Sequence, residues 1–457
     1  MFVNRENELK LLNKLYKSKK SELLVLYGRR RIGKTELLRQ FSKDKENIIF
    51  FSSDLSSENE QLRQFTEVIY NATKDSFLEN NPFRNWESLL KYIFDHTSAY
   101  NHIVIIDEFP YLCNSNKALP SILQKVWDEK NKNCEIFLVL CGSYMSFMEK
   151  EVLSSKSPLF GRRTSQLHLK PLSYNNAKEF FQSYSTNENI YTYSILGGTP
   201  SYLIRFNEKY NIEENIKEEI LNKNSFLYRE PKFLLMEKLR EPSIYFSILE
   251  AISFGKNRLN DIFQHTGIDR VKINKYISVL NELGIIKREI PVTEEIPYKS
   301  RKGYYTINDP YFRFWFRFVY PNFSYLEDSD VKYVWNQKIK PNLDSFTGLI
   351  YENICLQTIK MLNKDNKLPF KYDRIGRWWH KDNEIDILAY NKDAYLAIEC
   401  KWKTKKIGSN ILNELESKTR LLKPRNKIYY GFFSKSGFTD KLIEISKEKG
   451  NIILFNL

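Results

Sequence analysis

Three groups of residues in this 457-residue chain have types and spacings suited to chemistry. The first is Gly28-Arg29-Arg30-Arg31-Ile32-Gly33-Lys34-Thr35, which fits the pattern G-x-x-x-x-G-K-[ST]. Backbone N–H groups of such a loop wrap a triphosphate, and the N-terminus of the helix that follows adds a favourable dipole. Lys34 is suited to the β- and γ-phosphates, and the Thr35 hydroxyl to Mg²⁺. The second group is Asp107-Glu108, which ends the apolar run Ile103-Val104-Ile105-Ile106. Asp107 would hold Mg²⁺ through its water shell, and Glu108 would orient or deprotonate an attacking water. The third is Asp386, Glu399 and Lys401, spaced D-x₁₂-E-x-K. Two carboxylates can hold Mg²⁺ or Mn²⁺, and an ammonium beside them can position or activate water and stabilise charge. That is the equipment of a phosphodiester hydrolase.

The elements that must position these groups can be read from the pattern. Leu23–Tyr27 is an apolar strand leading into the glycine loop, and Glu36–Phe41 is a helix leaving it. Residues 1–170 alternate apolar strands with amphipathic helices, the mark of an α/β parallel sheet. Further strands are expected at Asn47–Phe51, His102–Ile106, Glu135–Leu140 and Gln166–Leu169. Residues 172–235 read as helical, with an interruption at Gly197-Gly198-Thr199-Pro200. Three short helices and a strand follow in 241–292. The pattern is irregular from Pro321 to about Asp344. Residues 345–457 then read helix, two or three strands, helix, strand, helix, strand. Within them, Glu384–Tyr390 and Tyr395–Lys403 form a hairpin. Period-two geometry places Glu399 and Lys401 on one face, and the hairpin can bring Asp386 beside Glu399.

Other polar residues fall where the same chemistry could use them. Ser143 follows the Glu135–Leu140 strand and is a candidate sensor beside the γ-phosphate, or an ordinary turn serine. Arg162 and Arg163 precede the next strand. They could neutralise phosphate charge in cis or from a neighbouring subunit, or be solvated surface charge.

At these residues the chain resembles a known family. Phe2-Val3-Asn4-Arg5-Glu6-Asn7-Glu8-Leu9 looks like the N-terminal box of the archaeal-type STAND ATPases, relatives of the AAA+ class. The Gly28–Thr35 loop, Ile106-Asp107-Glu108-Phe109-Pro110-Tyr111 and Gly161-Arg162-Arg163-Thr164 are similar to that family's other boxes. Gly197-Gly198-Thr199-Pro200-Ser201-Tyr202 resembles its glycine–proline lid motif. The resemblance covers about the first half of the chain and implies that Pro200 and residues near Phe2–Arg5 flank the adenine. Residues 244–288 resemble a winged helix-turn-helix, whose third helix would offer Arg270, Lys272, Asn274 and Lys275 to a major groove. Such modules also serve as purely structural parts of STAND-type ATPases. The D-x₁₂-E-x-K hairpin resembles the PD-(D/E)xK nucleases, with Ile385 in place of the proline before the first acid. Glu352, on a preceding helix, matches a further acid that this superfamily often carries as a metal ligand. Asn426–Ser434 and Gly437-Phe438-Thr439 resemble the closing strand of the nuclease-like domain attached to archaeal, DUF234-type ATPases.

Composition narrows the class. The formal net charge is +15, from 71 Lys and Arg against 56 Asp and Glu. That surplus fits a polyanionic partner, with DNA foremost, and it also fits AT-rich codon usage. Five cysteines without a CxxC pair, and five scattered histidines, read as buried thiols in a reducing cytosol rather than a disulfide or zinc framework. The N-terminus lacks a signal-peptide core, and no long uncharged apolar span occurs, so a soluble cytoplasmic protein without membrane partners is expected. The aromatic run Tyr311–Phe318 suits interdomain packing better than base stacking.

The expected fold is α/β. A P-loop parallel-sheet core spans 1–170, a helical lid 171–235, a winged-helix-like domain with the aromatic segment 236–325, and a restriction-endonuclease-like α/β domain 326–457. The expected function is ATP binding and hydrolysis with Mg²⁺, coupled to DNA engagement and to a metal-dependent nuclease-like domain using Mg²⁺ or Mn²⁺. Self-association, ATP-dependent or not, is compatible with it. The alternative is an ATP-driven signalling switch whose nuclease-like domain is inactive and only binds DNA or protein.

Overall fold

The computed structural model describes residues 2–96, 102–132, 134–237, 239, 241–422 and 427–457. The chain divides into two compact units. The first comprises Met1–Leu172 with Thr199–Ser201, and the second Ser173–Gly198 with Tyr202–Leu457.

The first unit is built on five parallel strands: β1 (Glu22–Tyr27), β2 (Ile48–Ser52), β3 (His102–Asp107), β4 (Ile136–Gly142) and β5 (Ser165–His168). Their order across the sheet is β2-β3-β4-β1-β5. Strands buried on both faces need continuous apolar runs, and β3 and β4 are buried along their whole length. In β1, Leu23 and Val25 join the core on one face while Leu24 and Leu26 join that on the other, as period-two geometry requires. The register sets Tyr27 beside Gly142 and Ile106 beside Leu140. The loop after β1, the acids ending β3 and Ser143 after β4 therefore leave neighbouring strands at their carboxyl ends, where open α/β sheets place ligands.

The second unit contains helices Pro242–Ser253, Leu259–Thr266 and Arg270–Glu282, followed by the antiparallel pair β6 (Ile286–Glu289) and β7 (Tyr304–Ile307). This is the expected winged-helix order. Asp269 caps the third helix by accepting from Val271 N at 2.8 Å, and Ile273, Ile277 and Leu280 bury its inner face. Arg270, Lys272, Asn274 and Lys275 are exposed. In the aromatic run, Tyr311, Phe312, Phe314, Trp315, Phe316 and Phe318 are all buried, so the rings pack rather than offer a stacking surface.

The stretch from Pro321 to Asp344 departs from expectation. It is not irregular but a relay of short helical turns: Phe323–Glu327, Val331–Tyr333, the π-turn Val334–Ile339 and the 3₁₀ turn Lys340–Asn342. A π-turn spaces its buried residues off the 3.6 period, and Pro321 and Pro341 interrupt the ladder, so no single periodicity survives.

The long helix Leu343–Lys364 leads into a second sheet of β8 (Arg374–His380), β9 (Asn383–Tyr390), β10 (Ala394–Lys401), β11 (Lys427–Ser434) and β12 (Ile452–Phe455). The order is β12-β11-β10-β9-β8, antiparallel among β8, β9 and β10 and parallel from β10 to β12. Helices Ser409–Arg420 and Asp440–Lys449 make the crossovers. Asn426, the first residue of the expected closing strand, lies outside the described residues. The five cysteines are buried thiols, none of them in a disulfide. Among the described residues, no helix is long and apolar enough to cross a membrane.

Candidate functional site

The glycine loop is shaped by two close constraints. A Cβ at Gly28 would stand 2.4 Å from Leu169 O, so only glycine lets the loop leave β1 here. Gly33 has φ 88° and caps the helix Lys34–Ser42. Arg31 is also left-handed at φ 68°, a conformation costing about 1–2 kcal/mol for a residue with a side chain. Ile32, between them, is buried. Lys34 is buried, and its Nζ donates to Gly28 O at 3.0 Å and Arg29 O at 2.9 Å, placing its charge across the mouth of the loop. Burial lowers its pKa against the opposing pull of Cys141, Glu108 and Asp107.

Thr35 Oγ1 donates to Asp107 Oδ2 at 2.6 Å. Glu108 sits at φ 52° and begins the helix Phe109–Ser115. Strain of this kind collects at functional positions. Its carboxylate accepts from Ser143 Oγ at 2.8 Å and Ser143 N at 3.2 Å. Arg30 Nε reaches Ser143 Oγ at 3.4 Å, and Arg30 also bonds the Tyr111 hydroxyl. Loop, acids and Ser143 thus form one connected set.

Two flanking residues complete it. Pro200 Cγ lies 3.9 Å from where a Gly33 Cβ would be, and Ser201 N donates to Arg31 O at 3.4 Å. Arg5, expected only as part of a segment near the adenine, is a buried clamp: its guanidinium bonds Lys170 O at 2.8 Å, Ile32 O at 3.3 Å and Glu8 at 3.0 Å. Its signal was the N-terminal box itself. The paired arginines do not join this set. Arg162 makes two bonds to Asp128, at 2.9 and 3.1 Å, and Arg163 bonds Leu153 O at 2.8 Å. A carboxylate on the neighbouring helix Leu119–Lys130 captures the first, and a carbonyl the second.

In the second sheet, β9 and β10 bring Asp386, Glu399 and Lys401 together. Asp386 is half-buried and accepts from Cys400 N at 2.8 Å. Burial, then the nearby Glu399 charge, pushes its pKa up to about 6 against the pull of Lys401. Glu399 is 3% exposed and pairs with Lys401. Burial disfavours the Lys401 charge, but Glu399 and Asp386 outweigh it and hold its pKa high. Lys418, on the helix Ser409–Arg420, also holds Glu399, at 3.1 and 3.2 Å. Sequence reasoning missed Lys418. Its position next to the buried Thr419, one turn beyond the buried Leu415, was the available signal.

Glu352 was expected as a third acid at this point, and in the structure its carboxylate is paired with a cation. Arg377 of β8 takes its carboxylate, and also bonds Tyr304 Oη at 2.7 Å and Glu384 at 3.0 Å. Among the described residues, no three His, Cys, Asp or Glu side chains gather as a metal-binding group. Asp386 and Glu399 remain as a pair.

Comparisons with known proteins place an ATPase domain over the first unit's residues. Residues 2–206 match the model of an ATPase domain predominantly from Archaea. Residues 315–415 match a family described as archaeal bacterial proteins of unknown function. An uncharacterised protein of Methanocaldococcus jannaschii is 36% identical over 464 residues, covering 100% of this chain and 99% of its own. An ATP-binding protein of the same organism is 48% identical over 46 residues, 10% of this chain and 78% of that protein. Among solved structures, the Walker-type ATPase of Pyrococcus abyssi superposes with a TM-score of 0.54 at 21% identity, over 69% of this chain and 96% of that one, a likeness of fold. With the phosphate loop, the β3 acids and a full-length relative in agreement, the chain belongs to the archaeal ATPase family whose ATPase domain occupies residues 2–206.

Proposed function

We propose that the chain hydrolyses ATP at the Gly28–Thr35 loop and uses the cycle to control how its C-terminal domain engages DNA. The residues present suit Mg²⁺-ATP: a lysine across a glycine loop, and hydroxyl and carboxylate oxygens 2.6 Å apart, the hard donors Mg²⁺ prefers. When bound, Mg²⁺ neutralises charge on the terminal phosphates. Lys34 binds those phosphates, Thr35 and Asp107 hold the cation, and Glu108 takes or orients the proton of the attacking water. Ser143 keeps Glu108 aimed through its two hydrogen bonds. Pro200 and the Phe2–Arg5 segment flank the base. Arg162 and Arg163 act only after leaving their present partners.

Coupling has a covalent route. The chain runs from the helix Thr186–Leu196 of the second unit through Thr199–Ser201 of the first and back at Tyr202. Pro200 therefore lies in the short link between the second unit's two segments. The observation that carries the nuclease reading is the meeting of Asp386, Glu399 and Lys401 on β9 and β10. The two acids would bind Mg²⁺ or Mn²⁺, and Lys401 would act on the water or the scissile phosphate. The test is supercoiled-plasmid nicking with Mg²⁺ or Mn²⁺, with and without ATP. Metal-dependent nicking that responds to ATP is the expected result.

One observation favours a second reading. Lys401 and Lys418 both hold Glu399, and Arg377 holds Glu352, so the acids are already neutralised by protein cations. On that reading the domain is an inert docking module of an ATP-driven switch. Duplex binding without nicking, at every metal tried, selects it.

A further inference from the structure

The aromatic run has two cations in it that neither site uses. Arg313 and Arg317 lie four residues apart on a helical segment otherwise buried by its rings. The Arg313 guanidinium sits 4.7 Å from the centre of the Phe346 ring, and that of Arg317 sits 4.1 Å from Phe254. Among the described residues, no carboxylate, carbonyl or hydroxyl accepts from either guanidinium. A guanidinium has five N–H donors, and those of both half-buried arginines are left to solvent or to a ligand. Arg377 is the contrast, saturated by Glu352, Glu384 and Tyr304. Burial, followed by the positive charges of Arg317 and Arg377, lowers the Arg313 pKa to about 10. The chain thus keeps a half-buried cation among other cations, without a counter-charge of its own. Such a group is open to an anion that would complete it.

We propose that Arg313 and Arg317 form a phosphate site that receives a backbone phosphate of duplex DNA. This rests on the reading that the C-terminal domain engages DNA. Three observations favour that anion. The planar fork of arginine matches phosphate oxygens in pairs, and a ring beneath it holds the fork in place. The positive charges of Arg317 and Arg377 both act on Arg313, so a phosphate there would meet more than one cation. The chain's net charge of +15 suits a polyanion.

The experiment is fluorescence anisotropy of a short labelled duplex with the full chain, across a salt series. Wild type, Arg313→Met, Arg313→Lys and Arg317→Met are compared. Methionine keeps an apolar stem on Phe346 and removes the charge. Arg313→Met should weaken binding about tenfold and lower the slope of log affinity against log salt by about one. Arg313→Lys should keep the slope and lose part of the affinity. Thermal unfolding of the free variants checks folding, and Arg313→Met should melt no lower than wild type, because an uncompensated cation is gone. Wild-type affinity and slope in both methionine variants would overturn the phosphate site and leave the DNA reading intact. A wild-type chain that binds no duplex at any salt removes the DNA reading and, with it, this site's role in holding DNA. Stabilisation by inorganic phosphate that depends on Arg313, without duplex binding, would assign the site to a free anion and overturn its role with DNA.

Discussion

The Thr35 hydroxyl and the Asp107 carboxylate meet at 2.6 Å, joining the first turn after the glycine loop to the end of β3. Each is the other's partner until a cation takes both oxygens. Lys34 is likewise parked on two loop carbonyls. The site is therefore assembled from groups that exchange internal hydrogen bonds for bonds to a ligand.

Removing Lys34 should show this first. Lys34→Ala deletes a cation that bridges the loop and should lower ATP affinity about ten- to a hundredfold, as expected for charge-assisted hydrogen bonds. Glu108→Gln keeps Thr35 and Asp107 and should bind ATP normally while turnover falls about 10²- to 10⁴-fold. Nucleotide titration and phosphate release measure the two effects separately. A Glu108→Gln chain with wild-type turnover would take water activation away from Glu108.

The Ser143–Glu108 pair makes a finer distinction. Ser143→Ala removes the 2.8 Å bond from Oγ and leaves the 3.2 Å bond from the backbone. Turnover should fall less than in Glu108→Gln, with ATP affinity unchanged. A fall in affinity equal to that in turnover would make Ser143 a ligand-binding group instead.

Much of this was legible in the sequence. The β1, β3 and β4 strands announce themselves because full burial demands unbroken apolar runs, and the loop and its acids follow at their ends. The pairing of Asp386 with Glu399 follows from hairpin register and period two. Partners contributed by side chains from distant segments were not legible. Arg377, Lys418 and Asp128 each reach an expected site residue across a large sequence separation, and composition cannot say which lysine or arginine does so. The π-turn at Val334–Ile339 was hidden for a different reason, since its spacing matches neither regular period.

Arg162 gives a test of action between subunits. Its two bonds to Asp128 must break before it can reach a phosphate. If it acts in trans, ATPase activity per chain should rise with protein concentration, and Asp128→Asn should steepen that rise by freeing the guanidinium. Mixing Arg162→Ala chains with Lys34→Ala chains should restore some activity. A rate per chain that stays flat over a wide dilution series confines Arg162 to a role in cis or to none.

Acidity should act on the C-terminal site through Asp386. Its folded pKa of about 6 lies above the unfolded value of about 3.9. The folded metal-free chain therefore holds this proton where the unfolded chain has lost it. Stability should fall as pH rises from about 4 to about 6, and Asp386→Asn should remove that fall, worth on the order of 3 kcal/mol. Denaturant unfolding in the presence of a chelator measures it. Metal binding should follow the opposite trend, because the proton must leave: Mn²⁺ affinity should rise as pH passes through about 6.

The most direct measurement is Mn²⁺-dependent nicking of supercoiled DNA by wild type, Asp386→Ala, Glu399→Ala and Lys401→Ala, with ATP hydrolysis followed in the same samples. The account predicts nicking by the wild type, its loss in all three variants, and ATP hydrolysis unchanged in each. Nicking that survives Asp386→Ala or Glu399→Ala, or a wild type that binds duplex DNA and never cuts it, would contradict the nuclease assignment.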